Sequence, residues 1–190
     1  MIVKERKTKE TDIRVELSLY GRGKSTIQTG IGFFDHMLEA FSKHSLIDLN
    51  LTCKGDTHID FHHSVEDVGI VLGQALKEAI YPIANVERYA NAVVVMDEAA
   101  VESSMDLSNR SYLVYEVQID GKVGEFDVEL AEEFLRALVS NAGITLHVEC
   151  KRGKNRHHIL EAVFKSFAVA LRRALSKNEA LGIPSTKGVL

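Results

Sequence analysis

Apolar and polar residues alternate one by one in "DIRVELSLYG", with Ile13, Val15, Leu17 and Leu19 on one side. A period of two sends successive side chains to opposite faces of a strand, so this stretch predicts a strand with one buried face. "GRGKSTIQTG" follows closely and reads as its hairpin partner. The period then lengthens. In "GFFDHMLEAFSKH", Phe33, Phe34, Met37, Leu38 and Phe41 recur at helical spacing. A short strand, "LIDLNLTC", comes next, and from Ser64 onward Val65, Val68, Val71, Leu72, Ala75, Leu76, Ala79 and Ile80 mark a long helix ending near "YP".

The second half runs through the same element types. Strand-like "NAVVVMDEA" and "SYLVYEVQI" precede helical "VELAEEFLRALVSNA", the strand "GITLHVEC", and a helix on Ile159, Leu160, Val163, Phe164, Phe167, Leu171 and Leu175. Aligning His62 with His157, 95 positions on, brings Leu51 onto Leu146. The order predicts an internally duplicated α+β chain of two pseudo-repeats, roughly 1–86 and 87–190, each an antiparallel sheet packed with helices.

The repeat also carries chemistry. "HHSVED" begins at His62 and "HHILEA" at His157, so His-His-x-x-Glu opens the long helix of each half. Residues i and i+4 share a helix face, which lets His62 with Glu66, and His157 with Glu161, each grip one metal ion. The adjacent histidines project about 100° away around the axis and must face another ion or partner. His36 and His147 supply two more imidazoles. Six histidines and two glutamates divide into two sets of three His and one Glu: His62, Glu66, His147 and His158, and His36, His63, His157 and Glu161. Mn, Fe, Co and Zn all accept such donors. A lone histidine on an apolar helix is more often a hydrogen-bonded core residue. Two motifs in register reverse that expectation, because burying four such histidines without a ligand would need many separate partners. Asp60 and Asp67 could orient ligand histidines or cap the helix start.

Composition narrows the setting. The net charge of −4 and the lack of a polybasic stretch argue against general nucleic-acid binding. Cys53 and Cys150 lie far apart and read as small strand residues, with no disulfide framework or thiolate zinc cluster. No apolar run approaches the roughly 20 residues needed to cross a bilayer, and "MIVKERKTKE" shows no signal region, so the cytoplasm is the expected location.

Together, "TGIGFFDHMLEAFSKHSLIDLNLTCKGDTHIDFHHSVEDVGIVLGQAL", "HHILEAVFKSFAVALRRAL", "PSTKG", "RKTKET" and "DLSNRSYL" resemble the imidazoleglycerol-phosphate dehydratase family over nearly the whole chain. Ser64 stands where Thr is common in the family, and Asn109 where Gly is common. The resemblance implies two α+β halves related to the second domain of ribosomal protein S5, two Mn(II) ions per active site, and a homo-oligomer of 24 subunits with active sites between chains. It implies a carbon–oxygen lyase of histidine biosynthesis that converts imidazoleglycerol phosphate to imidazole acetol phosphate. Matching positions make Glu10 the acid/base, and Gln28, Arg88, Arg110, Lys165, Ser185 and Lys187 contacts to the phosphorylated substrate. By sequence alone, Glu10 reads as a solvated strand glutamate and the cationic positions as surface charges.

The substrate's chemistry shapes the expected mechanism. No carbonyl acidifies the carbinol proton, so simple enolate formation is closed. An imidazolate bound by two metal ions can expel the adjacent hydroxyl and give a diazafulvene, whose neighbouring C–H a protein base can remove. Two other functions stay open on the residues alone. A metal-dependent hydrolase needs an open water position on its ions, and a noncatalytic metal-storage assembly would fill with metal and show no turnover.

Overall fold

The computed structural model describes residues 1–188. The first half runs β1 (Ile2–Lys7), β2 (Thr11–Ser18), β3 (Ser25–Gln28), α1 (Gly32–Ser45), β4 (Asp48–Gly55) and α2 (His62–Ile80). The second runs β5 (Tyr89–Met96), β6 (Ala99–Asp106) and β7 (Tyr112–Glu116), then a small hairpin of β8 (Lys122–Val123) and β9 (Phe126–Asp127). It closes with α3 (Leu130–Ala142), β10 (Thr145–Arg152) and α4 (Arg156–Ala174).

The two four-stranded sheets have matching orders, β1-β2-β4-β3 and β5-β6-β10-β7. Leu51 pairs with Val15 on one side and Ile27 on the other, and Leu146 pairs in the same way with Met105 and Leu113. The duplicated α+β unit predicted from element order is therefore present in the register of the strands.

One expectation is corrected. β3 is not the hairpin partner of β2; that place belongs to β1, paired antiparallel from Ile2 with Leu17 to Lys7 with Asp12. β4 occupies the other edge of β2, so both of its hydrogen-bonding edges are filled. The "GRGK" segment instead wraps the start of β4, where the backbone N–H groups of Arg22 and Lys24 each donate to Asp48 Oδ1 at 2.8 Å. This delivers β3 to the far side of β4 in parallel.

A single apolar core runs through both halves. It includes Ile13, Val15 and Leu17 from β2, Phe34, Met37, Leu38 and Phe41 from α1, and Phe164 and Phe167 from α4. Each fully buried Phe or Leu side chain contributes about 1.5–3 kcal/mol relative to exposure. Two helix contacts join the halves. Phe41 of α1 stacks on Phe167 of α4 at 5.3 Å between ring centroids. α2 meets α3 backbone to backbone: a Cβ added at Gly69 would lie 2.7 Å from Phe134 O, and one at Gly73 2.5 Å from Leu138 O. The first contact sets the start of α1, with His36, beside the start of α4. No helix among the described residues is long and apolar enough to cross a membrane.

Candidate metal centre and active site

Helical spacing performs as the sequence predicts at the start of α4. Asn155 caps the helix, its side-chain oxygen accepting from the N–H groups of His157 and His158. One turn on, Glu161 Oε2 lies 3.1 Å from His157 Nε2, and His36 Nε2 arrives from α1 at 3.6 Å from the same oxygen. Among the described residues, His36, His157 and Glu161 form the one group of three potential ligands whose donor atoms all lie within 4.8 Å of one another. Phe33 supports the arrangement by presenting an edge to the His157 ring at 5.3 Å, and Phe126 of β9 packs on Phe33 at 5.2 Å.

Glu161 is buried, at 6 % exposure, and a buried carboxylate needs a partner. Lys165, four residues on, reaches its Oε1 at 2.5 Å. Burial pushes the Glu161 carboxyl up, but the Lys165 ammonium outweighs it, with help from His157 and His36, and leaves the group below its ordinary value. The carboxylate is thus ionised, with Oε2 turned to two imidazoles. That donor set fits a borderline divalent metal ion.

α2 opens differently. Asp60 Oδ1 accepts from His62 N at 2.8 Å, which ties it to the backbone at the start of the helix rather than to an imidazole; the N-cap itself is Phe61. His62 Nε2 lies 3.8 Å from Glu66 Oε2, and both side chains are 45 % exposed. His62 and His63 turn their rings nearly perpendicular at 6.4 Å, and His157 and His158 do so at 6.3 Å, as expected of neighbours facing different partners. Asp67 neither caps the helix nor meets a histidine. It accepts from Arg6 at 2.6 Å and Thr11 at 2.5 Å, tying β1 and β2 to α2.

The two four-ligand groups predicted from sequence are not complete within one chain. His36, His157 and Glu161 come together without His63, whose Nδ1 lies 3.0 Å from Asp56 and 3.9 Å from Glu10. His62 and Glu66 share a face without His147 or His158. His147 is exposed on β10, opposite Ser104 and Val114. His158 Nδ1 sits 2.8 Å from Glu98.

The cationic residues fall into two places. Arg88, Arg110, Ser185 and Lys187 line one cavity of about 350 Å³ with Tyr89, Ser108 and Thr186. Arg88 builds this cavity. Its buried guanidinium forks onto Asp106 at 2.7 and 3.2 Å and donates its remaining Nη1 to Pro184 O at 2.6 Å, fixing the segment that carries Ser185 and Lys187. Arg110 is mostly exposed and only loosely paired with Asp106, at 3.9 Å. Lys165 is elsewhere, on Glu161. Gln28 is exposed at the end of β3, and Glu10 is exposed in the turn between β1 and β2.

Asp56 and Glu98 are absent from the sequence reading. Asp56 holds the His63 pKa above its ordinary value, chiefly by hydrogen bonding, and Glu98 does the same for His158. His158, together with the N–H groups of Asn155 and Lys154, takes the Glu98 carboxyl down to about 2. Both acids come from connections between elements, where helical spacing gives no signal.

Comparison with known proteins agrees with this architecture. Residues 29–171 match the family model described as imidazoleglycerol-phosphate dehydratase. The imidazoleglycerol-phosphate dehydratases of Aliarcobacter butzleri and Sulfurimonas denitrificans are 70 % and 67 % identical over 190 residues, covering all of both chains. Among solved structures, the Staphylococcus aureus enzyme superposes with a TM-score of 0.82 at 39 % identity, over 93 % of this chain and 100 % of its own. The Pyrococcus furiosus enzyme gives 0.85 at 40 % identity, over 98 % and 99 %. A family match across most of the chain, relatives matched end to end, and a shared two-sheet fold lead to one assignment: the chain belongs to the imidazoleglycerol-phosphate dehydratase family, a family of lyases.

Proposed function

We propose that this chain dehydrates imidazoleglycerol phosphate to imidazole acetol phosphate in histidine biosynthesis, as a cytoplasmic enzyme with two manganese ions per active site. The observation that carries the reading is the trio His36, His157 and Glu161, an ionised carboxylate shared by two imidazoles. His36, His63, His157 and Glu161 would hold one ion, and His62, Glu66, His147 and His158 the other. Only one trio closes within the chain among the described residues, which supports sites finished by a neighbouring subunit. The proposed assembly has 24 subunits, each built of pseudo-repeats 1–86 and 87–190.

Metal ions held by these residues would act as Lewis acids that make the substrate's imidazole ring easier to deprotonate, and the electron-rich ring could then release the adjacent hydroxyl. The chain's own residues then have distinct tasks. Arg110, Ser185 and Lys187 grip the phosphate, with Arg88 holding the tail segment in place and adding its own charge to the cavity. Three cations face one carboxylate there, Asp106, so the cavity favours an anion. Gln28 orients the substrate from the end of β3. Lys165 places a further cation beside the ligand trio, where it meets the anionic substrate. Glu10, whose carboxylate stands 3.9 Å from His63, moves the proton at the carbon next to the departing hydroxyl.

The test is turnover of imidazoleglycerol phosphate by manganese-loaded protein, beside a chelator-stripped sample restored with manganese. Activity lost on stripping and regained on restoration is the expected result. No turnover from protein shown to hold its full metal would overturn the substrate assignment.

A further inference from the structure

The second histidine of each pair meets a carboxylate through its Nδ1: Asp56 Oδ2 at 3.0 Å from His63, and Glu98 Oε2 at 2.8 Å from His158. Duplication does not account for this match. The histidines correspond across the 95-residue repeat, but the acids do not. Opposite Asp56 in the repeat stands Lys151, whose ammonium pairs with Glu102 and Glu149, and the turn that corresponds to that of Glu98, between β1 and β2, carries Glu10, whose carboxylate stays 3.9 Å from His63 Nδ1. Asp56 follows β4, whereas Glu98 lies between β5 and β6. Two unrelated connections therefore place an acid against the same atom of corresponding histidines.

Both acids are held in place. Glu98 Oε1 accepts from Lys154 N at 3.0 Å and Asn155 N at 2.7 Å, so the carboxylate is clamped to the backbone that opens α4. Asp56 N donates to Glu10 O at 3.1 Å. Asp56 Oδ1 is buried and finds no partner among the described residues. An unsatisfied buried oxygen is unfavourable, so this carboxylate is not placed there for its own hydrogen bonding.

A neutral imidazole has one N–H and one lone pair, and the acceptor beside one nitrogen decides which nitrogen keeps the proton. We propose that Asp56 and Glu98 are positioning residues. They fix His63 and His158 with the proton on Nδ1, so that each presents its Nε2 lone pair to a divalent cation. The proposal rests on the reading of these histidines as metal ligands. It also explains why the first histidines have no such acid: His62 and His157 face their own glutamates through Nε2.

The experiment uses full-length, chelator-stripped protein with 15N-labelled histidine. Manganese is titrated into wild type, Asp56→Ala and Glu98→Ala, and free manganese is followed by its electron paramagnetic resonance signal. The alanine variants are expected to bind manganese about 10- to 100-fold more weakly, the usual scale for loss of a carboxylate behind a ligating imidazole. Asp56→Asn and Glu98→Gln, which keep an acceptor oxygen and nearly the same shape, fall between. Glu102→Gln, an acid bonded to Lys151 and Asn91, stays at the wild-type affinity. Nitrogen chemical shifts of the stripped wild type at alkaline pH are expected to show a protonated Nδ1 at His63 and His158. Protonated Nε2 at either residue, or alanine variants with wild-type affinity, would overturn the proposal. Wild type that takes up no manganese would overturn the ligand reading itself, and so separates the two failures.

Discussion

The same five-residue motif opens α2 and α4, yet the two helix starts have different surroundings. On α4 the glutamate is buried, ion-paired with Lys165 and approached by His36 from another helix. On α2 the glutamate is half exposed, and the position corresponding to Lys165 is Ile70, which offers no countercharge. One motif therefore carries a buried, ion-paired carboxylate and the other a half-exposed one without a countercharge. A repeated pattern of ligand types fixes what a site can hold, while the packing around each copy decides whether one chain can complete it.

Removing each glutamate in turn tests this contrast most strongly. Glu161→Ala and Glu66→Ala should each lower manganese-dependent turnover by at least about 100-fold, since loss of a supporting group alone costs 10- to 100-fold. Thermal melting of the stripped proteins should separate them. Glu161→Ala leaves Lys165 without its partner and should lose about 1–3 kcal/mol, whereas Glu66→Ala should stay within about 0.5 kcal/mol of wild type. Equal melting losses would break the comparison.

The cationic cavity allows a second contrast. Arg88→Lys cannot reproduce the fork on Asp106 together with the bond to Pro184 O, so it should raise KM and lower stability by about 1–3 kcal/mol. Arg110→Ala should raise KM with stability within about 0.5 kcal/mol of wild type. Substrate titrations paired with melting curves distinguish the two roles.

The smallest effect concerns Glu98 and its dependence on pH in stripped protein. The Glu98 carboxyl is depressed from 4.5 to about 2, so its contribution is present above 4.5 and is lost as pH falls through 2. The His158 imidazole is raised above 6.5, so its contribution is present below 6.5 and is lost as pH rises through its folded value. The stability difference between wild type and Glu98→Gln should therefore peak between 4.5 and 6.5 and shrink on both sides. A difference that shrinks only on the acid side and persists above 6.5 would show that Glu98 acts only through the backbone of Lys154 and Asn155.

How much of this was legible in the sequence follows from the physics of each signal. Helical periodicity located α1, α2, α3 and α4, and the i, i+4 rule placed His157 beside Glu161. Strand pairing was harder to read, because a four-residue strand such as β3 has no periodicity to reveal its neighbour, and the competition between β1 and β4 for β2 decides the outcome. The alignment of Leu51 with Leu146 was legible because both positions are buried mid-strand. The contacts of Asp56 and Glu98 were not, since a connecting segment delivers its side chain by a path with no repeat. Arg88 looked like a surface charge because Asp106 and Pro184, which bury it, lie 18 and 96 residues away.

The two glycines at the crossing of α2 and α3 bear on how such a chain can change over time. Gly69 and Gly73 let backbone touch backbone, so the separation of the two halves is set by the missing side chains rather than by adjustable packing. Elsewhere in the core, a larger residue on one helix can be offset by a smaller one on its neighbour. Here the obstructing atoms include main-chain oxygens of Phe134 and Leu138, which no substitution removes. The ligand-bearing starts of α2 and α4 thus inherit a spacing that drift in the surrounding apolar residues leaves almost untouched.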